Sequence, residues 1–325
     1  MNYTYNSVKF STAILAGFTV PVLSFALNLG IVLLTLKVEG EFKYFIANQA
    51  LIDMLHSLAN FLQPVFALMP DYIGIWCNLE SFLICYSQIA MAVGLLPITF
   101  NRYVAVFCDE LYDVIFTLRT VLCICLFTDI LPLCILSTGF LFGYYGRERA
   151  GESCSGFKAR PETLLEAWIL VVFIVLLTCS CLLIVLVANF KISRHLCTQM
   201  ALQQNLRMQE RVNETAALVK MTKLQALIPA FCQFPVYISI LVWSLFRKLG
   251  LSLFLVDLVT FISVLIFIFN PLGDALAAIL ILKSYRKALR AVVCTNEIDD
   301  RLRQGQPEAV LAPHHQPIEQ LESVV

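Results

Sequence analysis

Charged residues are scarce in this chain: Asp, Glu, Lys and Arg make up 14% of 325 residues, against 59% hydrophobic ones, and the mean hydropathy is +0.79. A soluble domain carries about 25% charged residues, so this chain lacks the polar surface that water would require. An excess of either sign is missing too, with 23 basic and 23 acidic residues. That removes the basic field nucleic-acid binding needs. Disorder over the whole chain is excluded by the same hydrophobic content. No spacing marks a metal site or implies a cofactor, and His314-His315 fall in a polar tail. No nucleophile–base arrangement stands out, which sets an enzyme aside. Internal repeats are absent, against a repeat-built transporter. A chain this apolar buries its surface in a bilayer.

A helix needs about 20 apolar residues to cross the roughly 30 Å hydrocarbon layer. Seven stretches meet that length: Ile14–Leu36, Tyr44–Met69, Leu79–Phe107, Val121–Phe142, Ala167–Phe190, Met221–Phe246 and Leu251–Leu282. The third and seventh run long, which implies tilt or extension beyond the bilayer. All are continuously apolar rather than alternating, so the pattern is an all-α, seven-transmembrane helix bundle and not a strand barrel. The first is too long for a signal-peptide core.

If the N-terminus lies outside, 16 of the 23 basic residues fall inside: Lys37, Lys43, Arg102, Arg119, six from Lys191 to Lys223 and six from Lys283 to Arg303. The positive-inside bias therefore favours N-out, C-in. The sequon Asn2-Tyr3-Thr4 is then outside and open to glycosylation, whereas Asn213-Glu214-Thr215 is cytosolic and unused. Residues 1–13 form a short extracellular tail, 14–292 the membrane domain, and 293–325 a Pro/Glu/Gln-rich disordered cytoplasmic tail. Lys191 to Lys220 extends spans five and six inward. Ser284 to Val292 mixes basic and apolar residues, as a short amphipathic eighth helix on the inner membrane face would.

An ionisable side chain at mid-bilayer costs about 2.5–3.5 kcal/mol, so each asks for a reason. Asp53 lies in span two, Asp129 in span four, and Asp257 and Asp274 in span seven; Asn28 and Asn270 add amides in spans one and seven. Such groups either pair between helices, at roughly 0.6–2 kcal/mol each, or build a functional site.

The order of these residues resembles a family. Asn28 in span one, Ala50-Leu51-Ile52-Asp53 in span two, Cys77 opening span three and Asn101-Arg102-Tyr103 closing it are similar to motifs of the rhodopsin-like G-protein-coupled receptors. Phe231-Cys232-Gln233-Phe234-Pro235 resembles their helix-six hinge, and Asn270-Pro271-Leu272-Gly273-Asp274 their Asn-Pro-x-x-Tyr element. The departures (Asn101 for the acid before Arg102, Gln233 for the hinge tryptophan, Met91 beside Asp53, Asp274 for the terminal tyrosine) resemble the divergent serpentine chemoreceptors of nematodes. Glu214 is one position off from the family's helix-six acid.

The resemblance implies roles. Asn101, Arg102, Tyr103, Cys232, Gln233, Pro235, Asn270, Pro271 and Asp274 would form the activation switch, and Asn28, Asp53 and Asn270 a polar midplane cluster. Pro64 and Pro97 are explained equally by packing. Turns counted outward from the motifs give a ligand pocket of His56, Asn60, Gln63, Cys85, Gln88, Tyr237 and Thr260, unless these only bond between helices. Ile84 stands where amine receptors carry an acid and Val264 where opsins carry lysine, so a small, fairly neutral ligand is expected, with a neuropeptide second. The partners implied are that ligand, a heterotrimeric G protein and membrane lipids, at a plasma membrane or sensory cilium. A seven-helix transporter or ligand-gated channel is the alternative from another class.

Among the 12 cysteines, Cys77 and Cys154 alone fall in outer connections, where an oxidising exterior favours a disulfide. Cys294 follows the basic amphipathic stretch and is either palmitoylated or a free thiol. The terminal Glu322-Ser323-Val324-Val325 fits a PDZ-domain ligand.

Overall fold

In hydrocarbon every backbone amide must bond within its own segment, so long apolar runs become helices. The computed structural model describes residues 2–38, 40–67, 75–141, 164–202, 206–249 and 253–291. They form α1 (Asn2–Thr35), α2 (Phe42–Ala67), α3 (Ile75–Phe107), α4 (Asp109–Ile115), α5 (Leu118–Leu141), α6 (Leu164–Leu202), α7 (Leu206–Leu249), α8 (Leu253–Ile268) and α9 (Asn270–Ile281), followed by α10 (283–291). No strand occurs among the described residues. Spans one to six are α1, α2, α3, α5, α6 and α7.

Three differences from the sequence expectation have physical reasons. Span seven is two helices: Phe269 forms a turn and Pro271 sits in the first turn of α9, where a missing amide is tolerated. The second inner connection folds into α4, whose Tyr112 and Phe116 find packing partners on α3 and α2. Helix α1 runs back to Asn2, so the residues expected as a tail continue the helix. The inward extensions of spans five and six are helical, α6 reaching Leu202 and α7 starting at Leu206. Between α1 and α2 the chain turns at Gly40, whose φ of 90° suits glycine.

Cross-helix contacts fix the directions. Gln49 meets Gly94 and His56 meets Ser87, so α2 and α3 are antiparallel. Asn189 bonds Thr99 while His195 packs on Phe107, so α6 runs parallel to α3. Pro235 meets Ser263 and Ile228 meets Gly273, so α7 opposes α8 and α9. Asn28 meets Pro271 and Thr35 meets Tyr285, so α1 runs with α9 and α10. We call the end holding the N-terminus of α1 outer and the other inner. Helix α3 is central, packing on α2, α5, α6 and α7.

The packing is inverted relative to a water-soluble protein. On α2, Gln49, Asp53, His56, Ser57 and Asn60 are buried, while Leu51, Leu55 and Leu58 are exposed. Exposed leucine, phenylalanine and valine also line α1, α5 and α6. Five stretches of described residues are long and apolar enough to cross a membrane: Gly17–Thr35, Asn78–Phe107, Leu118–Ser137, Val172–Thr198 and Leu258–Ile281. Helix α2 is not among them because its inward face is polar. Helix α7 is not because Lys220, Lys223, Gln225 and Gln233 interrupt its described apolar run.

At the inner end Thr35 and Tyr285 share a hydrogen bond of 3.0 Å, and Tyr285 and Ala288 pack with Ile31, Ile46, Met221 and Ala278. Burial pushes the Tyr285 phenol up to about 12, only partly offset by the Thr35 bond, so it stays neutral. Helix α10 is thus pinned to the bundle by one face, with Arg286, Lys287 and Arg290 exposed.

Helix α9 approaches α7 closely: a Cβ on Gly273 would lie 2.9 Å from Ile228 Cγ2. Gly273→Ala should therefore lower the melting temperature of the purified protein by several degrees, an overpacking cost of about 1–3 kcal/mol. Adding Ile228→Ala should recover part of that loss. Melting curves of the two single variants and the double variant decide it, and simple additivity would refute the contact.

Candidate functional site: a polar track through the bundle

Seen from the inner end, the first functional group is Arg102. Its side chain is buried, with the guanidinium carbon 5.2 Å from the centre of the Phe42 ring at the start of α2. A guanidinium over an aromatic face is attracted by the ring quadrupole. Asn101 is fully buried, and its Nδ2 donates to the Tyr112 hydroxyl of α4 at 3.3 Å. The amide thus ties the end of α3 to the second inner connection instead of holding Arg102. Tyr103 points outward, 40% exposed, and stacks on Phe107.

At mid-bundle Asn28 Nδ2 donates to the carbonyls of Ser24 (3.0 Å) and Pro271 (3.2 Å), fastening α1 to the proline break. Asn270 Nδ2 points at Met91 Sδ, 3.4 Å away. Ser57 bridges the Asp53 carbonyl (2.7 Å) and Ser24 Oγ (2.9 Å). Asn28, Asp53 and Asn270 are all buried, although no hydrogen bond among the described ones joins them directly. Asp274 completes this layer: it is buried one turn below Asn270, and its carboxyl and that of Asp53 are close enough to act on each other. Cys232 on α7 lies within the same reach of Asp274. Gln233 is buried and accepts from the Tyr237 hydroxyl at 3.4 Å, while the Pro235 carbonyl accepts from Ser263 at 3.0 Å. The α7 hinge is thereby stitched to α8.

Toward the outer end His56 is fully buried, its Nδ1 2.7 Å from Ser87 Oγ and its ring edge-on to Phe267 at 4.7 Å. Asn60, Cys85 and Gln88 are buried; Gln63, Tyr237 and Thr260 are half-buried. Tyr237 has Cys85 and Thr178 in its neighbourhood, which brings α7, α3 and α6 together. The seven residues are buried or half-buried, on α2, α3, α7 and α8.

Together these buried polar groups occupy successive levels of the bundle, a polar track from α3's outer turns past Asp53 and Asp274 to Arg102. The profile of the 7 transmembrane receptor (rhodopsin family) matches residues 27–272. The chain belongs to this family. Its members are receptors and not enzymes, embedded by several spans and working with a ligand and a G protein. No curated protein matches this receptor.

Sequence reasoning missed several partners in the track: Phe42, Ser87, Tyr112, Glu80 and the Asn189–Thr99 bond of 3.0 Å. His56, Asn60 and Gln63 were reached by counting turns outward from the motifs; Gln49, four residues before Asp53 on the same α2 stripe, was missed. Glu80 offered a signal too, a lone acid two turns before Ser87 on α3. Asp129 is accounted for by packing: it accepts from Asn48 at 3.0 Å, joining α2 to α5 beside a cavity of about 370 Å³ lined also by Phe25, Leu55 and Tyr86. Nine cysteines are free thiols among the described residues. Cys154, Cys294, the C-terminal four residues and the side chains of Asn2, Cys77, Glu214 and Asp257 lie outside the described residues.

Two carboxyl groups in one dry layer cannot both ionise cheaply. Asp274→Asn should raise the receptor's melting temperature by several degrees, on the order of 1–3 kcal/mol, because an amide keeps the shape and leaves a single ionisable group in the layer. A fall of similar size would show that the carboxylate is needed for packing.

Proposed function

We propose that this receptor is chemosensory, binding a small molecule among His56, Asn60, Gln63, Cys85, Gln88, Tyr237 and Thr260 and signalling to a heterotrimeric G protein at the inner end, with its N-terminus outside. The observation carrying this reading is the run of buried polar groups at successive levels from Asn60 to Arg102. A shift at one level changes the pairing open to the next. A ligand that favours one of two such packings shifts their populations. The lever is α7, a helix with Pro229 and Pro235 inside it and a long inner extension. Arg102 is the group that changes partners when the inner end opens. A Cys77–Cys154 bridge would hold the second outer connection over the pocket. Lipid headgroups suit the inner groove of about 560 Å³ between α6 and α7, rimmed by Lys191, Arg194 and Lys223.

The test is a second-messenger assay against volatile and water-soluble small molecules in cells with measured surface expression. Arg102→Ala should abolish the agonist response at unchanged surface level. Tyr112→Phe should raise basal signalling about 2- to 10-fold, the equivalent of one hydrogen bond of about 0.5–1.5 kcal/mol holding the resting state. Agonist responses that survive Arg102→Ala would overturn the coupling role.

A further inference from the structure

Glu80 stands in the second turn of α3. It is 1% exposed, and neither carboxylate oxygen has a hydrogen-bond partner. Buried charges are ordinarily paired, and an orphaned one calls for a specific explanation. Its position supplies one. The antiparallel offset that sets Gln49 against Gly94 and His56 against Ser87 also sets Gln63 against Glu80. Glu80 therefore lies at the outermost level of the ligand-facing stripe on α2, two turns above His56.

The groups below it carry complementary vacancies. Ser87 Oγ donates to the Ile84 carbonyl at 3.0 Å, so in the contact with His56 at 2.7 Å it accepts, and His56 carries its proton on Nδ1. His56 Nε2 is then an acceptor, buried and without a donor. Asn60 Nδ2, one turn outward, is a buried donor without an acceptor. From Glu80 to His56 the stripe thus reads carboxyl, donor, acceptor. Seven residues of helix separate the first level from the last, about 10 Å.

We propose that Glu80 is the anchor of the receptor's pocket for a small cationic ligand: a primary amine whose ammonium binds the Glu80 carboxylate. A second polar group on the ligand, about 10 Å or less from the nitrogen, meets Asn60 and His56. This rests on the outer third being the ligand pocket, and it replaces the neutral-ligand expectation, which considered Ile84 alone. An ammonium on a desolvated carboxylate is a charge-assisted hydrogen bond, the strong kind. The empty protein bears the cost of the orphaned acid, the usual relation between a binding group and stability.

The test is thermal melting of the purified full-length protein in lipid nanodiscs, without G protein, so that it stands apart from signalling. The probes are a panel of aryl-alkyl and hydroxyalkyl primary amines and their alcohol counterparts, each at millimolar concentration. Amines from the panel should raise the wild-type melting temperature by several degrees and the matching alcohols should not. Glu80→Gln should abolish that rise while melting at or above the ligand-free wild type; Asp129→Asn should preserve it. Glu80→Met, of similar length, is the second variant. Equal stabilisation of wild type and Glu80→Gln overturns the proposal, as does stabilisation by no amine. Loss of folding in both Glu80 variants also overturns it, by showing a structural role. A receptor that binds amines but never signals would sink the coupling reading and leave this one standing.

Discussion

The hydrocarbon layer offers no hydrogen bonds, and most of the polar side chains described within the spans turn toward the bundle interior. That constraint orders the rest of the structure. It turns the stripe of Gln49, Asp53, His56 and Asn60 toward α3 and leaves Leu51, Leu55 and Leu58 for lipid. It brings Asn28 to the Pro271 carbonyl, where the break between α8 and α9 exposes backbone. It also explains why α2, the least apolar of the early spans, is nonetheless a spanning helix. The polar track is what remains when such stripes from α2, α3, α7 and α9 face one another.

Within that track the substitutions form a consistent set. Where the family has an acid before the arginine, Asn101 reaches sideways to Tyr112, and Arg102 lies over the Phe42 ring. Where it has a tyrosine, Asp274 confronts Asp53. Met91 takes the amide of Asn270 on a thioether, a weak acceptor.

Much of the fold was legible in the sequence, because span length, basic-residue bias and midspan polar residues each follow from the bilayer. The break at Phe269 was not, although Pro271 announced it: apolar continuity over Leu251–Leu282 hid the turn. Helix α4 was hidden because seven residues between two spans carry no periodic signal of their own. At the site Asn28, Asp53 and Asn270 are buried at mid-bundle, and the partners of the two amides are backbone carbonyls and a methionine sulfur, which spacing does not reveal. Glu80 escaped because attention fell on Ile84, the position a resemblance singles out, and not on the acid one turn outward. Tyr103 belongs to the same motif as Arg102, and its ring faces outward, which the motif alone does not tell.

The central claim is that the polar stripe of α2 faces the bundle and the leucine stripe faces lipid. It is tested most directly by placing a nitroxide label at each position from 48 to 60 in the reconstituted protein and measuring collision with oxygen, which partitions into hydrocarbon. Accessibility should oscillate with the helical period, peaking at Leu51, Leu55 and Leu58 and falling to minima at Gln49, Asp53, His56 and Asn60. A flat profile, or maxima at the polar positions, would contradict the account.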